Sequence, residues 1–100
     1  MTESNGSSLF KVVLPGTLKR QILRLHLQAR KHGLDTEFLD ALAKIHRRLE
    51  RDPRQFGDPQ YHLQALKLTI FVRAVYPVAV DYGVHDKLPF VIVRGLRLMI

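Results

Sequence analysis

"FVRAVYPVAVDYGVHD", residues 71–86, decides the fold. Two runs rich in β-branched residues flank Tyr76-Pro77, so the stretch reads as a β-hairpin that breaks where Pro cannot donate to a ladder. Its apolar content sets it against a core, yet Arg73, Asp81 and His85 interrupt it. Successive side chains in a strand point to opposite faces. With residues 66–75 taken as one strand, Leu66, Leu68, Ile70, Val72 and Ala74 form the better core face, and Lys67, Thr69, Phe71, Arg73 and Val75 oppose them. The following strand divides into Val78, Val80, Tyr82 and Val84 against Ala79, Asp81, Gly83 and His85. This places Lys67, Arg73, Asp81 and His85 together on an outer face. Tyr82 goes with the core, and its buried hydroxyl then needs a partner.

Beyond the hairpin, "HDKLP" is a turn, and Phe90–Arg94 is a last strand running on toward Met99. Arg94 shares parity with Phe90 and Ile92, and Arg97 with Val91 and Val93, so one of the two reaches the outer face. Before the hairpin, residues 52–65 carry two Asp-Pro pairs and a Gly and read as a loop. Ahead of that loop lie two amphipathic helices. Leu18, Ile22, Leu25 and Ala29 recur at i, i+4, i+7 and i+11, and Phe38, Leu42, Ile45 and Leu49 repeat the spacing. Thr17 can cap the first helix, and Gly33 is the expected residue just past its end. Asp35 or Thr36 starts the second, and Asp52-Pro53 ends it. Phe10–Leu14 is a short first strand, and Met1–Ser8 is a disordered tail. The chain is therefore one α+β domain over residues 9–100, in the order β-α-α-β-β-β. A helical hairpin packs on a mainly antiparallel four-stranded sheet. The first strand has an edge or a central place open to it.

The totals narrow the function. Sixteen Lys and Arg against nine Asp and Glu leave +7, with a pI near 10.3, which favours an anionic partner. With no Cys, thiolate metal sites and a Cys nucleophile are excluded, and a reducing cytosol fits. The first residues have no apolar signal region, and no apolar run reaches a membrane span. His26, His32, His46 and His62 lack metal-binding spacing, and no phosphate-loop, dinucleotide or hydrolase motif occurs. No cofactor is expected.

The chain resembles the RelE/ParE toxin superfamily of bacterial toxin–antitoxin systems over about Phe10 to Arg97. The resemblance rests on "VVL" followed by a turn and two basic helices. It continues through "LERDPRQFG", similar to a Leu-x-x-x-Pro-x-x-x-Gly exit from the second helix, then "VAVDYGV" and "FVIVRGLR". It implies a cytoplasmic, toxin-like protein acting on RNA or translation, with messenger-RNA cleavage on the ribosome in some members. Other members resemble gyrase poisons, and both kinds imply an antitoxin partner. A non-enzymatic module of the same fold, binding protein or nucleic acid, is the alternative. The implied catalytic set is incomplete, because "GLRLMI" lacks the His or Tyr that often follows the last strand. Ala79 and Val80 also stand where an Arg would precede Tyr82.

Two constellations follow. In the first, Arg73, Arg94 and Arg97 hold phosphates through planar donors and His85 transfers a proton, while Arg stabilises the charge that develops on 2′-hydroxyl attack. Against it stands a solvated sheet face with Asp81 paired to a cross-strand Arg. In the second, Lys44, Arg47, Arg48 and Arg51 form a dense basic run that, with Lys67 on the sheet, binds RNA or an acidic antitoxin segment. A merely solvated helix face is the alternative. The apolar end "LRLMI" either packs under the first helix or offers a strand edge to a second copy or an antitoxin.

Overall fold

The computed structural model describes residues 9–100. The expected tail falls outside these residues. In chain order the elements are β1 (Lys11–Val13), α1 (Gly16–Lys31), α2 (Asp35–Arg51), α3 (Pro53–Phe56), β2 (Asp58–Leu63), β3 (Leu68–Val75), β4 (Val78–His85) and β5 (Phe90–Leu98). The fold is α+β, with α1 and α2 packed on one face of the sheet.

The helices arise as their periodicity dictates. Leu18 and Ala29 are buried on α1, and Phe38, Ala41, Ile45 and Leu49 on α2. Gly33 adopts φ +71, the left-handed turn that lets the chain reverse between them. Thr17 makes no capping bond; the chain enters α1 at Gly16, directly after Pro15.

The sheet has five strands in the order β1-β5-β4-β3-β2, which corrects the expected four. The added strand, β2, lies in the stretch read as a loop and pairs antiparallel with β3. Pro59 is tolerated there because β2 is an edge strand, and its near-complete exposure leaves no apolar alternation to read. β1 takes the other edge and pairs parallel with β5, while the remaining pairings are antiparallel. β3 also starts later than expected. Gln64–Leu66 form one 3-10 turn and Lys67 sits at φ +55 before Leu68 begins the strand.

The faces of β3 are the second correction. Phe71 pairs with Tyr82 and Arg73 with Val80, so both lie on the helix-facing side. Leu68, Ile70 and Val72 take the outer side opposite His85, Gly83 and Asp81. Both sides of β3 are apolar, and alternation alone could not choose. The main core joins the helix residues to Phe71, Val80, Tyr82, Val84, Val91 and Val93. Leu68 and Ile70 are buried apart from it, on the outer face.

Tyr82 ties the exit of α2 to the sheet. It is fully buried, as its parity with Val80 and Val84 requires, and its hydroxyl donates to the Pro53 carbonyl at 2.6 Å. Its ring stacks on Phe71 at 5.4 Å and faces Phe56 at 6.3 Å. Burial raises its pKa well above the ordinary tyrosine value, so the hydroxyl stays a donor.

Candidate nucleic-acid interface

The spacing Lys44, Arg47, Arg48 and Arg51 is i, i+3, i+4, i+7, which sets four cations along one stripe of α2. The buried residues Phe38, Ile45 and Leu49 hold the opposite side, so the stripe faces away from the sheet. Lys44, Arg47 and Arg51 are exposed. Arg48 is half-buried and fixed: its Nε and Nη2 donate to the two Asp52 oxygens at 2.8 and 3.0 Å. That bidentate bond raises the Arg48 pKa further.

The stripe does not stop at the helix end. Asp52-Pro53 breaks α2, and the short α3 drives Phe56 into the core under Tyr82. Arg48 Cζ lies 4.9 Å from the Phe56 ring centre, and Arg73 Cζ lies 5.3 Å from the same centre. Two guanidinium groups, one from α2 and one from β3, thus meet on one aromatic ring. Asp52 neutralises Arg48. Arg73 has no carboxylate within ion-pair distance among the described residues.

Arg73 therefore leaves the constellation expected for it. Arg94 and Arg97 lie on the outer face, with Arg97 opposite Ala79. Arg94 occupies a β-bulge, where one extra residue of β5 stands between the Asp81–Gly95 and Tyr82–Val93 pairs. It donates to the Tyr61 hydroxyl at 3.1 Å and stands 3.6 Å from Asp81 Oδ1, and the Tyr61 bond raises its pKa. Arg97 and Asp81 help line a groove of about 610 Å3, together with Asp58, Ala74, Ala79 and part of Arg73. Tyr61 was missed because its strand was read as a loop.

His85 is elsewhere again. It sits six positions along β4 from Ala79, roughly 20 Å from the Arg97 row at about 3.3 Å per residue. Its Nδ1 accepts the Lys87 and Leu88 N–H groups at 3.1 and 2.9 Å, and its ring tilts on Phe90 at 4.9 Å. This is a turn-forming role. The proposed catalytic set of Arg73, Arg94, Arg97 and His85 does not converge, because strand parity turns Arg73 to the helix-facing side and register sets His85 far along β4 from Arg97. Lys67 holds the turn before β3, apart from the α2 stripe.

The turn end of the sheet has its own network. His62 Nε2 lies 2.8 Å from Asp86 Oδ2, Thr69 donates to Asp86 Oδ1 at 3.4 Å, and Arg54 Nη2 donates to the His85 carbonyl at 2.6 Å. The His62 bond, foremost, holds the Asp86 carboxyl below its usual 3.8. A depressed carboxyl stabilises the fold above its unfolded pKa and loses that contribution as pH falls through the folded value. The urea midpoint of Asp86→Asn is thus expected below wild type at pH about 5.5 and level with it at about 2. A gap that persists at the lower pH contradicts the assignment.

Elsewhere, His26 bonds Asp35 and stacks on Phe38 at 5.4 Å, joining the two helices. Among the described residues no group of three or more metal-ligating side chains comes together, and no helix is long and apolar enough to cross a membrane. Compared with protein-family models, curated proteins and solved structures, the chain matches none.

Proposed function

We propose that this protein is a non-enzymatic, RNA-binding, toxin-like member of the RelE/ParE-like fold, which acts on RNA or the translation machinery by occupying it. The observation that carries this reading is the row Lys44, Arg47 and Arg51, exposed and without a carboxylate in ion-pair range among the described residues, extended by Arg73 over Phe56. A +7 chain that aligns cations in this way suits a phosphate polymer, whose counterions are released as Lys and Arg replace them. Cleavage requires acid, base and phosphate-stabilising groups around one reacting atom. His85 stands far along the sheet from Arg97, and Arg73 borders the Arg97 groove but follows the helix-facing parity to Phe56, and the reading therefore assigns binding alone. An acidic antitoxin-like protein in the cytoplasm is the partner this role calls for, because the same cations would need covering.

The test is incubation with an end-labelled single-stranded RNA of about 20 nucleotides, followed by anisotropy and a denaturing gel. Saturable binding with the RNA recovered intact is expected. Fragments that disappear with Arg94→Ala would replace binding by cleavage at the Arg94–Tyr61 pair. No binding at low salt would remove both readings.

A further inference from the structure

Between the two long helices and the sheet lies a cavity of about 220 Å3. The strands meet it with short side chains, Val12, Val80 and Val93, and with Leu96, which pairs with Val80 across the ladder. β1 ends at Val13, and Leu14-Pro15 carry the chain off the sheet into α1. Ile45, Val80, Val93 and Leu96 are buried and form the inner wall. Leu14, Ile22 and Leu42 are half-buried and form the mouth.

Protein interiors hold few voids larger than a water molecule, because an empty space forfeits the contacts of the atoms that line it. Water does not suit this one. An ordered water needs roughly two to four polar partners, and His46 is the one polar side chain that the described residues bring to the lining. An apolar cavity of roughly 150 Å3 takes up benzene, so one of about 220 Å3 has room for a second ring.

The rim narrows the chemistry further. His46 is exposed there, with Nδ1 3.8 Å from Glu50 Oε1, beyond hydrogen-bond length. Its imidazole can therefore bond a hydroxyl on a guest, in either tautomer. A carboxylate guest is disfavoured twice. Apolar walls cannot solvate its charge, and the Glu50 carboxylate stands beside the rim to repel it.

We propose that this cavity binds a small, neutral, two-ring aromatic molecule carrying one hydroxyl. The rings lie between α1, α2 and β5, and the hydroxyl meets His46. The site is on the sheet side of α2, whose buried residues line it, and it is independent of RNA binding.

The test titrates 2-naphthol to about 1 mM at pH about 7, followed by methyl NMR. Saturable binding is expected. The Ile45, Val93 and Leu96 methyl resonances should shift, and those of Leu68 and Ile70, buried on the outer face, should not. 2-Naphthoate, the same rings with a carboxylate, should bind at least about tenfold more weakly. Leu42→Phe, which sets a ring in the mouth, should weaken 2-naphthol binding at least about tenfold. His46→Ala, an exposed change outside the core, should weaken it about fivefold, which keeps the test open if Leu42→Phe fails to fold. No saturation by about 1 mM would overturn the proposal. So would equal binding of 2-naphthoate, which would assign the affinity to surface cations, or binding that either variant leaves unchanged.

Discussion

Gly57→Ala is expected to destabilise the protein by about 3 kcal/mol, the upper part of the range for overpacking a filled core. Gly57 follows α3 in extended backbone at φ −104, which any residue adopts, so the cost lies in contact. A Cβ there would stand 2.5 Å from the Tyr82 hydroxyl, 3.0 Å from the Val72 carbonyl oxygen and 3.1 Å from the Phe71 Cβ. The carbonyl belongs to a strand paired on both sides and cannot retreat. Nor can Tyr82, held by the Pro53 bond and by the Phe56 and Phe71 rings. Relief would break the Pro53 bond and leave a buried carbonyl unpaired. Gly16→Ala, with nothing within 4 Å, is the neutral control. Urea midpoints measure both, and equal stability of Gly57→Ala and wild type would refute the packing described.

The second large effect concerns binding. Lys44→Ala, Arg47→Ala and Arg51→Ala combined remove three exposed cations and leave the Arg48–Asp52 pair intact. Each lost phosphate contact changes the salt slope by about 0.7 for a single strand, so three change it by roughly 2. At about 0.1 M salt this is a loss of affinity of roughly 100-fold. Stability should stay within about 0.5 kcal/mol per site, because exposed substitutions away from packing cost little. Arg73→Ala should weaken binding by less, since one contact is lost, and should also loosen the packing over Phe56.

The helices were legible because one apolar stripe per helix produces a 3.6-residue period, and Gly33 and Asp52-Pro53 punctuate them. The β3–β4 hairpin was legible from its apolar content. β2 was not, because an exposed edge strand with Pro59 carries no alternation and its partner is settled by tertiary pairing. The side of β3 that meets the helices escaped for a related reason. Leu68 and Ile70 find burial on the outer face, so both parities looked like core. That one ambiguity moved Arg73 from the sheet constellation to the helix stripe. His85 looked like a proton carrier because residue type is visible in a sequence, whereas its bonds to the Lys87 and Leu88 amides are not. The α2 stripe was legible as a dense basic run; its continuation through Phe56 to Arg73 required the fold.

The most direct measurement is the affinity for a labelled single-stranded RNA as a function of salt, for wild type and for the Lys44, Arg47 and Arg51 triple alanine variant. A wild-type log–log slope near −3, cut to near −1 in the variant, is the predicted result, at about 0.7 per contact. A slope near zero, or equal slopes for the two proteins, would contradict the assignment of this stripe to RNA.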